Sequence, residues 1–446
     1  MSRFPGIFVS LLAAGPAAGA TTAFVNVNVV SMETGEIASS RTVVVKDGVI
    51  ATIGDFDATA LTGDAVVVDG TDRYLIPGLA EMHGHIPGAE SPDLGRVLDL
   101  FVANGVTTVR GMLGQQSHLG LRERIARGEV LGPRLVTSGP SFNGQSVRSP
   151  RQAVQRVREQ HAAGYDFLKI HPGLTRAEFD AIAGEANKLG MPFAGHVPED
   201  VGVDRALTAG MATIDHLDGY MQALLPPNED PSGGLGGFFG VFVADLADES
   251  GIDALARRTA EAGTWNVPTE SLFEHVTSPR LSVEELVSRP EMKYMPATTV
   301  AEWAQAKRDL QGDPDYVAST AEHATEIRQR LLRALHEAGA GLLLGSDSPQ
   351  IFNVPGFALH HELALLVAAG LTPIDALRSG TVNAARYLGV PGRRGDVREG
   401  YDADLVLLDA DPLADISNTR RIHGVMLAGR WLSRGDLDAL LEPLER

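Results

Sequence analysis

The sequence predicts an α/β fold, a (β/α)8 TIM barrel joined to a small β-sandwich domain that both chain ends build. Across residues 75–395, eight short apolar strands alternate with helical segments, the pattern of a parallel sheet. On either side of this region, short strands follow one another with turn residues between them and almost no helix. An open, doubly wound sheet is the alternative, but no glycine-rich phosphate-binding fingerprint follows the first strand.

Residues 1–20 have the order of a secretory signal peptide. Arg3 gives a positive start, residues 7–14 are apolar, and residues 18–20 form a small-x-small cleavage site. The apolar run is too short to span a bilayer. We therefore expect an exported protein, periplasmic or secreted, whose mature chain begins near Thr21.

Composition narrows the class of protein. At 446 residues, 44% of them hydrophobic, the chain is long enough for one large barrel. A net charge of −19 disfavours a nucleic-acid binder, and no later segment has the length and apolarity of a membrane helix. With no cysteine, the chain has no disulfide, thiolate ligand or cysteine nucleophile. A small-molecule substrate is the expected partner, and a homo-oligomer is left open.

The small domain is expected to comprise residues 21–74 and 396–446. In its first part, Asp47 and Gly48 mark a hairpin turn between two of the strands. Strands return near the C-terminus, and the simplest closure pairs them with the first part. The predicted strands of this domain span residues 23–30, 41–45, 49–53, 65–68, 405–408, 422–427 and 430–432.

The barrel strands are short and apolar, and helices lie between them. Two connections, 220–250 and 271–316, are longer than ordinary loops, so we expect them to cover the mouth of the barrel. The predicted helices span 150–164, 176–189, 318–338, 357–369, 372–379 and 382–388. The predicted barrel strands span 75–81, 106–110, 134–139, 167–170, 193–196, 213–216, 265–269 and 342–345.

Side chains that bind metals mark the ends of these strands. His83 and His85 are two residues apart, so on a strand both imidazoles face the same side. Catalytic groups of such barrels lie at the C-terminal strand ends. Imidazole and carboxylate ligands without thiolate suit zinc, with manganese, cobalt or iron as alternatives. The further candidates at predicted strand ends are Lys169, His196, His216 and Asp347.

These residues resemble the metal-dependent amidohydrolase superfamily, over nearly the whole mature chain. Pro77-Gly78-Leu79 leads into His83-x-His85, and His196, His216 and Asp347 follow. Segments 380–385 and 400–406 resemble the closing helix and the return to the sheet domain. Within the superfamily, the chain is similar to the branch that holds imidazolonepropionase, prolidase-like and arginine-releasing carboxypeptidases, and ochratoxin-degrading amidohydrolases.

The resemblance implies two divalent metal ions, with zinc as the first choice, and a carbamate formed on Lys169 by carbon dioxide. That carbamate would bridge the metals. It further implies that a metal-bridging hydroxide attacks an amide of N-acyl amino acids or dipeptide-like substrates, with Asp347 as general base. The implied ligands are His83, His85 and Asp347 on one side, His196 and His216 on the other, and Lys169 between them.

Other candidates concern the substrate and the support of the ligands. Tyr220, His171 and Arg110 are candidate substrate contacts, each with an equally simple packing or scaffold role. Asp215 and Asp218 are candidates for orienting His216 and its neighbours.

Three competing functions remain open at this point. One is a mononuclear cyclic amidohydrolase or deaminase, similar to imidazolonepropionase, in which Lys169 is structural. Another is an esterase or lactonase that uses the same hydroxide. The third is a catalytically silent binding protein. Counting the bound metal ions separates the first alternative from the two-metal enzyme, and a substrate screen separates the others.

Overall fold

The computed structural model describes residues 21–55, 65–229 and 236–445. The expected signal peptide, residues 1–20, lies outside these ranges. The strands are β1 Thr21–Val30, β2 Ile37–Lys46, β3 Val49–Gly54, β4 Val66–Asp69, β5 Tyr74–Pro77, β6 Leu79–Gly84, β7 Val106–Gly111, β8 Arg134–Thr137, β9 Leu168–Ile170, β10 Phe193–Gly195, β11 Thr213–Asp215, β12 Trp265–Val267, β13 Leu405–Leu408, β14 Ile422–Leu427 and β15 Arg430–Ser433.

Helices connect these strands and cover the parallel ones. Within the described ranges, no helix is long and apolar enough to cross a bilayer. The α-helices are α1 Leu94–Ala103, α2 Gln116–Ala126, α3 Pro150–Ala163, α4 Arg176–Leu189, α5 Gly202–Thr208, α6 Tyr220–Ala223, α7 Ile252–Ala262, α8 Glu270–Thr277, α9 Val283–Val287, α10 Ala297–Gln311, α11 Ala318–Glu337, α12 Phe357–Ala368, α13 Pro373–Ser379, α14 Val382–Tyr387 and α15 Arg434–Leu441. Short 3₁₀ helices occupy Phe238–Gly240, Ala244–Leu246, Glu249–Gly251, Pro290–Tyr294, Ile416–Arg420 and Glu442–Leu444.

Both ends of the chain form one sheet. Its strand order is β15-β14-β13-β5-β1-β2-β3, with β4 paired to β1, so the strands form one eight-stranded sheet and not two separate ones. The central pairing joins β5 to β13 in antiparallel fashion, with Leu75 opposite Leu407. A separate apolar cluster lies against this sheet, and it includes Phe24, Leu75, Leu405 and Met426.

The predicted strand 75–81 is in fact two strands, which Gly78 separates. β5 belongs to the small sheet and β6 begins the parallel strands. At Gly78 a Cβ atom would stand 2.2 Å from Thr107 Oγ1, so only glycine fits where the backbone passes from one sheet to the other. The periodicity of the apolar run contains no sign of this change of sheet.

The parallel strands follow one another in chain order, which gives a TIM-barrel-like α/β fold. β6-β7-β8 and β9-β10-β11-β12 form two parallel sheets, and a bridge between Ser138 and Phe167 connects them. The predicted eighth strand, 342–345, is not a regular strand. Leu342 makes a single bridge to Asn266, and Ser348, beyond the predicted strand, makes one to Gly84. Within the segment the N–H of Leu344 donates to the carbonyl oxygen of Ser379 in α13 and not to a neighbouring strand.

Local signals explain why several helices begin and end where expected. α4 starts at a capping box in which Thr175 and Glu178 exchange hydrogen bonds, and it ends at Gly190 with φ of 66°. α3 likewise begins with Pro150 in its first turn and ends at Gly164. These two helices pack against each other, and Phe179 of α4 contacts Phe193 of β10.

Candidate metal centre

His83 and His85 lie at the carboxyl end of β6. Their ring centroids are 5.6 Å apart, as their spacing on a strand predicts. His83 is fully buried, whereas the His85 side chain is 19% exposed and borders the opening. The N–H of Asp347 donates to the His83 carbonyl oxygen over 2.8 Å. This hydrogen bond joins the loop that follows residues 342–345 to the end of β6.

Two imidazoles are oriented by hydrogen bonds at Nδ1, and a third has its Nδ1 beside a carboxylate. His196 Nδ1 lies 3.0 Å from Asp218 Oδ2, and His216 Nδ1 lies 2.8 Å from Thr269 Oγ1. His83 Nδ1 lies 2.8 Å from Asp215 Oδ2. Such partners fix the ring orientation of metal-binding histidines and turn the other nitrogen, Nε2, towards the centre.

The second nitrogen of His216 is a test of whether a metal fits. Its Nε2 is buried and has no hydrogen-bond partner among the residues that the structure describes. A buried polar atom without a partner is costly unless a ligand satisfies it. Burial, together with neighbouring positive charges, lowers the pKa of His83 and His216 well below the usual value, so both rings are neutral. Neutral imidazole is the form that binds a metal ion.

A compact group of possible ligands lies around Asp347. His83, His85 and Asp347 each offer one ligand atom, and these atoms all lie within 4.8 Å of one another. Asp347 Oδ1 is 2.5 Å from His85 Nε2 and 3.4 Å from His83 Nε2. His216 is beside the group, since its ring centroid is 4.4 Å from that of His83, and His196 follows at 4.6 Å from His216.

Lys169 on β9 points into the same centre. Its side chain is fully buried, and Nζ lies 3.5 Å from His83 Nε2. Burial lowers the pKa of Lys169 to about 8, partly opposed by the negative charges of Asp215 and Asp347. The neighbouring strand makes room for it: a Cβ atom on Gly195 would stand 2.9 Å from Lys169 Cδ and 3.1 Å from Nζ.

Imidazoles, a carboxylate and a buried amine thus converge from five strand ends, and this donor set fits divalent metal ions. The six residues that the sequence analysis proposed as ligands are all in this cluster. The arrangement could polarise a carbonyl group and activate water if metal ions were bound.

Glu81 is a functional candidate that the sequence analysis missed. It is fully buried on β6, and its carboxylate accepts from the N–H groups of His83 and Ser346 and from the Ser346 hydroxyl. Burial raises the pKa of Glu81 to about 7, against the lowering effect of these hydrogen bonds. Glu81 therefore holds the backbone on both sides of the centre, next to His83 and next to Asp347. Its position two residues before His83, on the same face of the strand, was the available signal.

The first long connection reaches over the centre. The ring of Phe239 is stacked on His216 at 4.9 Å and on His196 at 6.0 Å between centroids. The second long connection packs beside it, where Trp303 of α10 contacts Phe352 in the loop that follows Asp347. Both connections lie at the end of the strands that carries the ligands, as their length predicted.

Arg110 has a different position from the one expected of a substrate contact. Its guanidinium is fully buried and donates to the Met82 carbonyl oxygen, Tyr387 Oη, Thr213 Oγ1 and both oxygens of Asp215. All three of its nitrogens are therefore engaged by the protein. We assign Arg110 to the positioning of Asp215, which in turn contacts His83.

Tyr220 is likewise removed from the opening. Its side chain is fully buried, and its hydroxyl is hydrogen-bonded to Thr259 at 3.0 Å and to Asn266 at 2.9 Å. Its role is to join the helices to β12, so the expected substrate contact is not retained. His171 does lie beside the centre, with its ring centroid 5.1 Å from that of His196, and burial lowers its pKa to about 2.

Comparisons with known proteins show similarity to hydrolases over most of the chain. The sequence profile of the amidohydrolase family matches residues 74–432. An ochratoxinase of Aspergillus niger is 23% identical over 417 residues, covering 86% of this chain and 80% of its own. An imidazolonepropionase of Idiomarina loihiensis is 24% identical over 403 residues, covering 84% of this chain and 87% of its own.

Solved structures show the same similarity. A bottromycin amidohydrolase has a TM-score of 0.71 and 28% identity, covering 95% of this chain and 89% of its own. A protein of Bifidobacterium longum, described as a candidate prolidase, has a TM-score of 0.69 and 25% identity. The alignment with it covers 96% of this chain and 100% of that protein.

Proposed function

The chain belongs to the amidohydrolase family and is a hydrolase acting on carbon–nitrogen bonds, and from this premise we propose that it cleaves the amide of N-acyl amino acids or dipeptide-like substrates at a two-metal centre. One observation supports the proposal most. His196 and His216 each use Nδ1 in a hydrogen bond to the protein, His83 Nδ1 lies 2.8 Å from Asp215 Oδ2, and the Nε2 atom of His216 is left buried without a partner among the described residues. The proposal takes the parallel strands as one closed (β/α)8 barrel around this centre.

The chain supplies the ligands as follows. Zinc is the first choice because the donors are imidazole and carboxylate without thiolate. Bound divalent ions lower the pKa of water towards neutrality and polarise a substrate carbonyl. His83, His85 and Asp347 would hold one ion, His196 and His216 the other, and Lys169 would bridge them as a carbamate. In forming it, the Lys169 ammonium group would lose one proton to become the free amine and a second as that amine takes up carbon dioxide, so a cation becomes an anion.

Asp347 is the candidate general base. Its Oδ1 faces His85 and His83, which leaves Oδ2 as the oxygen that can accept a proton from the attacking water. The same carboxyl group can return that proton to the departing amine, since an amide nitrogen leaves only once it is protonated. The Asp347 side chain is only 9% exposed, so bulk water competes little for this proton.

Lys169 provides the sharpest test, because the chain offers a matched control. Lys307 is also fully buried, but it donates to the carbonyl oxygens of His275 and Ser278 away from the ligands. We expect Lys169→Ala to lose most of the bound metal and nearly all turnover, and Lys307→Ala to lose stability while keeping its metal. Metal is counted on purified protein by elemental analysis. Short carboxylic acids added to Lys169→Ala should restore part of the activity by supplying the missing bridge.

A one-metal enzyme is the second candidate function, because the three ligand atoms of His83, His85 and Asp347 form a compact group by themselves. In that case Lys169→Ala would retain one metal ion and substantial turnover. Asp347→Asn serves as the common reference, since loss of a general base costs roughly a hundredfold or more in rate on either mechanism. Full metal content and near-normal turnover in Lys169→Ala, beside an inactive Asp347→Asn, would contradict the two-metal proposal.

Substrate class is tested separately. We expect hydrolysis of a panel of N-acyl amino acids and dipeptides, with the matched esters and lactones cleaved more slowly relative to their uncatalysed rates. Faster enhancement of the esters than of the amides would favour an esterase or lactonase. Absence of both bound metal and hydrolysis would leave a binding protein.

We also propose that the protein is exported, on the basis of the charged, apolar and small residues in positions 1–20. Intact-mass measurement of the native protein should give a chain that starts near Thr21. A full-length product in the cytoplasm would contradict this proposal.

A further inference from the structure

A cavity apart from the metal centre lies between the barrel part and the small sheet. It has a volume of about 230 Å³, and its lining comes from α2, the segment that leads into β8, and the turn between β14 and β15. None of the candidate metal ligands lines it. Its apolar walls are formed by Ile125, Val130, Leu131, Leu135 and Leu427.

The charged residues of this cavity are all of one sign. The chain has 57 acidic and 38 basic residues, yet no Asp or Glu is among the lining residues. An apolar cavity with a rim of guanidinium groups is complementary to a molecule with an apolar body and an anionic end. The lining arginines are Arg122, Arg134, Arg394 and Arg430.

Three of these arginines have donors to spare. Arg134 and Arg394 each use only Nε in a hydrogen bond, to Asp404 at 2.8 Å and to Asp402 at 2.7 Å. Their terminal nitrogens make no hydrogen bond within the described ranges. For Arg430, no residue in those ranges forms a hydrogen bond or ion pair with the guanidinium. By contrast, both terminal nitrogens of Arg122 are engaged.

We infer that this cavity binds a small amphipathic monocarboxylate, such as a medium-chain aliphatic acid. Asp166 and Asp404 pair with Arg122 and Arg134, and Asp402 is shared by Arg394, Arg393 and Arg134, so the lining keeps at least the positive charge of Arg430 for a bound anion. A cavity of about 150 Å³ holds benzene, so this larger one holds roughly ten non-hydrogen atoms, the size of octanoate. The carboxylate would accept from Arg430 and from the terminal nitrogens of Arg134 and Arg394, and the alkyl chain would contact the apolar walls.

The experiment is calorimetric titration of the full metal-loaded protein with octanoate, octanol, acetate and octylammonium. Octanoate should bind saturably and about tenfold or more tightly than octanol or acetate, because octanol lacks the carboxylate and acetate lacks the long alkyl chain. It should also raise the melting temperature, because a ligand that binds only the folded protein stabilises it against unfolding.

Two variants locate the binding event, because a carboxylate can also bind at a metal centre. Arg430→Gln should weaken one octanoate site about tenfold or more, as loss of a charged hydrogen-bond donor predicts. Ala126→Phe should fill the cavity and abolish that site, because Ala126 is an exposed lining residue of α2. Arg124→Gln, an exposed arginine of the same helix outside the lining, is the matched control and should change nothing. Turnover should be unaffected in all three variants.

The inference is wrong if Arg430→Gln and Ala126→Phe both retain every octanoate-binding event of the wild type. It is also wrong if octylammonium binds as tightly as octanoate, or if octanoate acts only as a competitor of the substrate. The first two of these results do not depend on whether the metal centre cleaves amides, so this site and the proposed function succeed or fail separately.

Discussion

At the scale of single residues, the imidazoles of the centre are held by partners that differ in burial. Asp218, which orients His196, is 14% exposed, whereas Asp215, which contacts His83, is fully buried and paired with Arg110. Water cannot stabilise an unpaired charge that is buried. The same substitution should therefore cost more stability at Asp215 than at Asp218.

Asp218→Asn should weaken metal binding without unfolding the protein. Loss of such a supporting carboxylate typically costs about 10- to 100-fold in metal affinity. The measurement is competition for the metal with a chelator, alongside the denaturation midpoint of the metal-free protein. A normal metal affinity would show that Asp218 does not orient His196.

Asp215→Asn should instead destabilise the fold. It leaves the Arg110 guanidinium buried without its counter-ion, which typically costs about 3–5 kcal/mol. The free energy of unfolding in urea measures this loss, with Asp218→Asn as the reference. Equal stability of the two variants would contradict the positioning role assigned to Arg110 and Asp215.

Tyr220→Phe tests the interior position of that hydroxyl. We expect turnover to remain near wild type and stability to fall by about 2 kcal/mol, because two buried hydrogen bonds are lost. A large loss of kcat with unchanged stability would restore Tyr220 as a substrate contact.

At the scale of elements, the first long connection closes over the centre through one ring. Phe239 has φ of 51°, an uncommon conformation for a residue with a side chain, and it stacks on two candidate ligands. We expect Phe239→Ala to raise KM for substrates with a bulky apolar acyl group while the metal content stays normal. Phe238→Ala is the neighbouring control and should change KM less, because Phe238 contacts Phe239 and not the histidines. Equal effects would assign the selectivity to the loop as a whole.

The same connection is fastened to α11 by a contact that depends on pH. His323 Nδ1 lies 2.7 Å from Asp245 and Nε2 lies 3.0 Å from Glu249, and these two hydrogen bonds raise the pKa of His323. Below the unfolded value of 6.5 the contact contributes fully, and its contribution is lost as pH rises through the higher folded pKa. The stability difference between wild type and His323→Gln should therefore be larger at about pH 6 than at about pH 9. An unchanged difference would show that the charge of His323 plays no part.

At the scale of the whole molecule, the sequence predicted the elements with strong local signals. Helix α4 was expected at 176–189 and is found there, because Thr175 and Gly190 fix both of its ends. The break at Gly78 was missed, since it depends on Thr107 approaching from another strand. Helix α15 was also missed, although Ser433 and Asp436 form a capping box before it.

In the candidate site, too, the sequence predicted some features and not others. Spacing and strand ends were sufficient to name the residues that converge, because parallel strands bring their carboxyl ends together. The directions of Arg110 and Tyr220 were not predictable, because each is set by partners distant in sequence, such as Asp215 and Asn266. Side chains at a strand end can turn into the wall or into the opening, and only packing decides between them.

The antiparallel pairing of β5 with β13 has a consequence for how the protein is made. The two strands are separated by the entire barrel part, so β5 leaves the ribosome long before its partner exists. At the usual 5–20 residues per second, the wait for Leu405 after Pro77 is synthesised lasts roughly 15 to 65 seconds. Throughout that interval one edge of β5 has no strand beside it, and such an edge can pair with another chain. The nascent chain is therefore most exposed to misassembly during translation of the barrel, and the synthesis of β13 ends that period.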